Sequence, residues 1–139
     1  MNDLGTEIRL DGSFESAVER TTAALAAEGF GVISRIDMDR AFREKLGVAF
    51  RRYTILGACN PKLAHAAVSA RPEVGLLLPR NVTVEEAPGA SGDGAIVRIV
   101  DAAKMLSAAS LAGESTFEAL GADASARLAR VARSLAAGG

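Results

Sequence analysis

Hydrophobic and polar positions alternate at the start of the chain and then change to a helical spacing. Residues 4–10 alternate apolar and polar side chains, which predicts a short strand. Apolar residues from Phe14 to Leu25 then recur at intervals of three and four, so they predict an amphipathic helix. Ser13 is placed to cap this helix, and Gly29 stands where a left-handed residue would end it.

The same strand-and-helix order repeats in the next segment. Residues 30–36 have the composition of a second strand, and apolar positions within 38–46 predict a short helix. Asp37 is the expected cap of that helix, and Gly47 is the expected end. The first third of the chain is therefore a β-α-β-α unit.

A third strand leads directly into a third helix. Residues 52–58 alternate in character and run into Cys59. Asn60 can accept a hydrogen bond from a free amide, and Pro61 has no amide to leave unpaired, so the pair predicts a helix start. That helix covers residues 61–70 and ends before Pro72, because the residue preceding a proline leaves the helical region.

The second half contains two extended segments followed by helices. Residues 76–86, with a break at Pro79, and residues 95–101 flank a glycine-rich connection at 88–94, which favours an antiparallel hairpin. Residues 102–110 predict a short helix, and an apolar stripe over 117–135 predicts a long one. The fold class is α/β (α+β): a single two-layer domain, residues 1–139, with a mixed β-sheet of about five strands covered by helices.

Composition narrows the choice of partners. The 139 residues include 16 Lys and Arg and 17 Asp and Glu, for a net charge of -1, and only 4% are aromatic. A chain with no basic block and few aromatic residues is not typical of nucleic-acid binding. The N-terminus lacks a secretory signal, and no apolar run approaches the ~20 residues that span a bilayer. With a single cysteine, these features predict a cytoplasmic protein without a disulfide and without membrane contact.

The candidate site is the helix start at Cys59, Asn60 and Pro61. A helix N-terminus favours anions and the thiolate form of a cysteine. His65 on the same helix and Arg80 after Pro79 are the other candidate ligand-binding residues. The sequence therefore predicts a binding module for a small anionic or thiol-reactive molecule at Cys59, Asn60, His65 and Arg80.

Two other functions remain open at this stage. Cys59 is the expected nucleophile of a thiol enzyme or redox sensor in which His65 assists, although the sequence assigns no catalytic residue beyond that. A dimeric scaffold without catalysis is the other alternative, with Cys59 a small buried side chain and His65 exposed. No metal site is predicted, since one Cys and one His are too few ligands, and no cofactor is identified; soft-metal or haem binding with Met105 is a minor variant.

A family resemblance rests on Tyr53 and on four ordered segments. The segments are Lys45-Leu46-Gly47-Val48, Ile55-Leu56-Gly57-Ala58-Cys59-Asn60-Pro61, Leu63-Ala64-His65 and Val74-Gly75-Leu76-Leu77-Leu78-Pro79-Arg80-Asn81-Val82. Together they are similar to the bacterial and archaeal family called domain of unknown function 302. The resemblance implies a small two-layer α/β domain that pairs as a homodimer. In that family pattern a cysteine often stands at the position of Arg80, so this chain departs from any mechanism that needs two thiols there.

Overall fold

Five strands form one sheet in the computed structural model, which describes residues 4–89, 92–108 and 115–138. The strands are β1 (Gly5–Asp11), β2 (Gly31–Asp37), β3 (Tyr53–Cys59), β4 (Arg80–Glu86) and β5 (Gly94–Val100). The helices are α1 (Phe14–Ala27), α2 (Met38–Leu46), α3 (Pro61–Ala70), α4 (Ala102–Ala108) and α5 (Ser115–Ala136), with a 3₁₀ helix at Pro72–Leu77. The predicted α/β architecture, with a five-stranded sheet and helices, is confirmed.

The strand order is β1-β5-β4-β3-β2, and every neighbouring pair is antiparallel. The sequence predicted a mixed sheet, and the sheet is instead antiparallel throughout. The β-α-β unit read from the sequence does exist, since β1 and β2 run in the same direction. However, β5, β4 and β3 lie between these two strands, so the unit spans the whole sheet and creates no parallel neighbours.

One face of the sheet packs against α1 and α5. Alternate strand residues such as Leu56, Val82 and Val97 are at most 1% exposed and point into this core. Leu25 from α1 and Val131 from α5 are fully buried against them. The helices thus supply a second layer on this face, as the apolar stripes of the sequence predict.

Several predicted helix boundaries are confirmed by their local geometry. The Ser13 hydroxyl accepts a hydrogen bond from the Ser16 amide at 3.0 Å, and Gly29 follows α1 with a φ of 86°. Gly47 ends α2 in the left-handed conformation. Asp37 does precede α2, but its side chain does not cap that helix; it accepts a 2.8 Å hydrogen bond from the Thr54 hydroxyl instead.

The segment before β4 differs from the prediction. Residues 76–79 were expected to be extended, whereas Leu76 and Leu77 belong to the 3₁₀ helix, and the Leu78–Pro79 peptide is cis. A helical turn begins readily at Pro72, because proline at the first position has no amide to leave unpaired. Pro79 cannot donate to a strand ladder, so β4 starts only at Arg80.

The C-terminal half follows the predicted order of hairpin and helices. β4 and β5 pair as an antiparallel hairpin, although residues 90 and 91 of its loop lie outside the described residues. α4 ends at Ala108 in the structure, and the last two positions of the predicted helix, 109 and 110, also lie outside them. α5 continues through Gly121, which is buried within the helix.

Candidate functional site

The candidate site begins where β3 passes into α3. β3 ends at Cys59, which is partly buried, and α3 starts at Pro61 as predicted. The Asn60 side-chain oxygen accepts a 3.2 Å hydrogen bond from the Leu63 amide, so Asn60 caps α3. Asn60 is only 9% exposed, which fixes the first turn of α3 against the rest of the domain.

Arg80 lies on the helix-covered face of the sheet. Its cross-strand partner is Ala58, which is fully buried in the core, and opposed residues of neighbouring strands share a face. The guanidinium donates a hydrogen bond to the Met105 sulfur at 3.7 Å, a weak acceptor. Burial lowers the pKa of Arg80, and among the described residues no carboxylate forms an ion pair with it. Arg80 is thus a partly buried cation without an acidic partner in this part of the chain.

A cavity of about 40 Å³ brings these residues together. It is lined by Cys59, Asn60 and Arg80 and by apolar side chains of three helices, among them Leu63 and Ala67 of α3, Leu77 of the 3₁₀ helix, and Phe117 and Leu120 of α5. A single water needs about 10–15 Å³ measured in this way, so the cavity holds about three water-sized groups. Its walls are mostly apolar, with the guanidinium as their charged group.

His65 and Lys62 lie elsewhere. Both side chains are exposed on α3, and neither lines the cavity. The helix turns its Leu63, Ala64 and Ala67 side toward the cavity, and His65 projects from a different side. The structure therefore brings together three of the four predicted site residues, Cys59, Asn60 and Arg80, and leaves the imidazole outside.

Sequence reasoning missed the wall that α5 contributes. Phe117 is 2% exposed and packs with Val74 in a small second cluster beside the main core. Gly121 of α5 is buried and also lines the cavity. Phe117 and Gly121 are four positions apart, so they lie on one side of α5. This spacing is the feature of the sequence that could have indicated the wall.

Gly57 and Pro79 set the position of Arg80. A side-chain carbon added to Gly57 would lie 2.7 Å from the Pro79 ring and 2.1 Å from the Ser34 hydroxyl. β3 can therefore approach the residue before Arg80 closely only because position 57 has no side chain. The close contact between Gly57 and Pro79 therefore fixes the backbone immediately before Arg80, which lines the cavity.

Metal ligands do not cluster in the described part of the chain. Residues 4–89, 92–108 and 115–138 contain no group of three or more His, Cys, Asp or Glu side chains placed to hold a metal ion. Within the same ranges, no helix is both long enough and apolar enough to cross a bilayer. The Met105 sulfur, considered above as a soft ligand, faces the Arg80 guanidinium.

Comparisons with known proteins agree with the fold. The family described as "Domain of unknown function DUF302" matches residues 6–135. A crystal structure of an uncharacterized conserved DUF302 protein from Bacillus stearothermophilus is similar with a TM-score of 0.80 and 22% sequence identity. The similarity covers 96% of this chain and 98% of that one. No curated protein matches the chain.

Proposed function

The chain belongs to the family of domain of unknown function DUF302, and on that premise we propose that it binds a small anion in the cavity formed by Cys59, Asn60 and Arg80. The observation that carries this proposal is the charge of Arg80. A guanidinium has five N–H donors in a fixed fork that matches carboxylates and phosphates. Within the described residues, only the Met105 sulfur accepts one of its hydrogen bonds.

Burial makes this arrangement favourable for an anion. A charge removed from water costs free energy unless an opposite charge or hydrogen bonds compensate. Burial already lowers the pKa of Arg80, which is the direction expected of a cation that lacks compensation. An anion that enters the cavity would restore the missing partner in surroundings where water screens the attraction less than at the surface.

The cavity volume restricts the class of ligand. About 40 Å³ accommodates an ion with a few heavy atoms, such as a carboxylate, bicarbonate or another small oxyanion. Nucleotides and drug-sized metabolites need pockets of about 300–1,000 Å³. The first turn of α3 lies beside the cavity, and Asn60 already uses its side-chain oxygen as the cap, so the anion would face the guanidinium rather than replace the cap.

Thermal unfolding in matched sodium salts tests the proposal. Acetate, bicarbonate and phosphate are each compared with chloride at equal ionic strength. An anion present at ten times its Kd stabilises the folded state by about 1.4 kcal/mol, which raises the Tm by about 5 °C for a chain of this length. We expect at least one anion to raise the Tm of the wild type in this way.

Two variants with the same change in net charge separate the cavity from general electrostatics. Arg80→Met removes the cation in the cavity, whereas Lys62→Met removes an exposed cation on α3. We expect Arg80→Met to abolish the anion-dependent shift and Lys62→Met to retain it. A shift that survives Arg80→Met, or a wild type that none of the anions stabilises, would count against the proposal.

Thiol chemistry is the second candidate, because Cys59 lines the same cavity as Arg80. An anionic molecule with an electrophilic centre would be attracted by the guanidinium and meet the only cysteine of the chain. This candidate requires that an anion compete with alkylation of Cys59. If bound anions leave the alkylation rate unchanged, the thiol and the anion do not share the cavity.

A further inference from the structure

Met105 contacts Arg80 from outside the anion cavity. It lies on α4, three positions after Ala102, so both side chains project from the same side of that helix. Ala102 is 1% exposed and belongs to the main core, whereas Met105 is partly exposed. The Met105 sulfur accepts a hydrogen bond from the Arg80 guanidinium at 3.7 Å. Since Met105 does not line the cavity, it approaches the guanidinium from another side.

A thioether sulfur is a poor partner for a guanidinium. It is polarisable but only a weak acceptor, so its bond with an N–H group is weak. Oxygen acceptors form much stronger bonds with arginine, and a charged donor makes such a bond about twice as strong as a neutral one does. In the reduced protein, an anion that enters the cavity therefore competes for Arg80 with only a weak acceptor.

Oxidation changes this acceptor at the atom that touches the guanidinium. The methionine sulfur attacks one oxygen of hydrogen peroxide, and the O–O bond breaks as the S–O bond forms. The transferred oxygen gives its proton to the departing hydroxide, which leaves as water. The sulfur loses two electrons and the peroxide gains them. The product is methionine sulfoxide, in which an apolar side chain has become polar.

The position of Met105 suits a bond between the new oxygen and Arg80. Its sulfur already lies 3.7 Å from the Nη1 atom of Arg80. An N–H···O hydrogen bond needs a separation of about 2.9 Å between nitrogen and oxygen. Methionine has three rotatable side-chain bonds, so rotation of the side chain can turn the oxygen toward Nη1 while α4 stays in place.

We propose that Met105 is an oxidation site that controls the anion cavity, an inference that rests on the function proposed above. In the reduced state Arg80 is available to an anion. In the sulfoxide state the new oxygen holds the guanidinium outside the cavity and replaces the anion as its partner. Oxidation by peroxide then weakens anion binding about tenfold, as expected for one competing hydrogen bond to a charged group, and reduction of the sulfoxide restores it.

Two leucine variants separate Met105 from the other oxidation sites. Met38→Leu retains Met105, and Met105→Leu retains Met38, which is also partly exposed but lies on α2. Both variants keep Met1 and Cys59, so oxidation at those two positions affects them equally. Each variant is treated with hydrogen peroxide and then with a thiol reductant, which restores reversibly oxidised cysteine. Peptide mass spectrometry identifies the methionine that carries the added oxygen.

The dependence of the Tm on the concentration of acetate, bicarbonate or phosphate gives a Kd for each anion. We expect peroxide to raise the Kd of Met38→Leu about tenfold and to leave the Kd of Met105→Leu unchanged. Treatment with methionine sulfoxide reductases should restore the original Kd of Met38→Leu. The proposal is overturned if oxidised Met105 leaves the Kd unchanged, if both variants lose affinity equally, or if Met105 stays reduced while Met38 is oxidised.

Met105→Gln tests the same contact without an oxidant. The glutamine side chain places a carbonyl oxygen one bond beyond the position of the sulfur, as the sulfoxide does. We expect Met105→Gln to bind the anion about tenfold more weakly than Met105→Leu, with or without peroxide. Equal binding by the two variants, both shown to be folded by circular dichroism, would overturn the proposal.

Urea unfolding without added anions examines the contact separately from anion binding. Met105→Gln should lower the midpoint urea concentration less in the wild type than in Arg80→Met, because only the guanidinium donates to the carbonyl oxygen. Equal changes in the two backgrounds would overturn the proposal. If no anion stabilises the reduced wild type, the anion proposal and the oxidation proposal both fail. If the reduced protein binds an anion and the sulfoxide form binds it equally well, only the oxidation proposal fails.

Discussion

Replacement of Gly57 by alanine should destabilise the domain, because the new methyl group meets two neighbours. It would lie 2.1 Å from the Ser34 hydroxyl and 2.7 Å from the Pro79 ring, both shorter than any ordinary contact. Ser34 is an exposed side chain and can rotate away. The Pro79 ring is rigid and has no rotamer to adopt, so β3 and the start of β4 must separate.

The magnitude follows from two opposing contributions. Forcing a methyl group into a filled space costs about 1–3 kcal/mol. Alanine restricts the unfolded chain more than glycine does, and this effect stabilises the folded state by about 0.4–1 kcal/mol. The expected loss in the free energy of unfolding is therefore about 1–2 kcal/mol. Since Pro79 precedes Arg80, the same displacement should also weaken anion binding in the cavity.

Urea denaturation followed by circular dichroism measures this loss, and Gly75→Ala is its matched control. Gly75 lies in the 3₁₀ helix, has no atom within 4 Å of an added methyl group and does not need a positive φ. We expect Gly75→Ala to be neutral or to stabilise by up to about 1 kcal/mol. If the two variants have the same stability within about 0.5 kcal/mol, which is the usual range of surface substitutions, the reasoning about the Pro79 contact is refuted.

Three further predictions concern the cap residue Asn60, the ion pairs of Glu85, and the buried hydroxyls of Thr21 and Thr54. Asn60→Ala should cost about 0.5–2 kcal/mol in urea unfolding, whereas Asn60→Asp should keep the cap but weaken anion binding in the thermal assay; equal stability of the two variants would contradict this. Burial alone would raise the pKa of Glu85, but hydrogen bonds from Arg98 and a second arginine outweigh it and hold the pKa below its usual range. This stabilisation is present above the unfolded-state pKa of about 4.3 and is lost as the pH falls through the lower folded-state value, so the stability of Glu85→Gln should vary less with pH in acid than that of the wild type; parallel profiles would refute it. Thr21 and Thr54 are both at most 1% exposed, but only Thr54 donates to a carboxylate, whereas the Thr21 hydroxyl has no partner among the described residues. Thr54→Val should therefore cost about 1–3 kcal/mol in urea unfolding and Thr21→Val should be neutral or stabilising, and the opposite order would be a contradiction.

Local signals predicted the elements well because their causes are local. Ser13 and Asn60 cap the helices that follow them, and Gly29 has the left-handed conformation expected after a helix. Each of these interactions involves residues within a few positions of one another, so the sequence contains it in full. Asp37 is the exception. Its carboxylate accepts a hydrogen bond from the Thr54 hydroxyl, seventeen residues away, instead of capping α2, and a local sequence pattern does not contain that contact.

The site needed contacts that local sequence does not contain. The order of the strands decides that Arg80 shares a face with the buried Ala58, and this order depends on how three strands insert between β1 and β2. The walls from α5 come from residues more than fifty positions away from Cys59. His65 was a candidate because it lies on α3 close to the helix start, but it projects from a side of α3 away from Leu63 and Ala67, so it does not reach the cavity.

The most direct test of the central claim compares two alkylating reagents that differ in charge. Iodoacetate is an anion and iodoacetamide is neutral, and both react with the only thiol of the chain, Cys59. If the guanidinium of Arg80 draws anions into the cavity that Cys59 lines, the ratio of the iodoacetate rate to the iodoacetamide rate should be higher for the protein than for free cysteine. Arg80→Met should then lower that ratio about tenfold, because a hydrogen bond to a charged group contributes about 1.5 kcal/mol at the lower end of its range. Lys62→Met should not change the ratio. A ratio that is the same in the wild type and Arg80→Met would contradict the claim that the thiol and the guanidinium serve one anion-binding cavity.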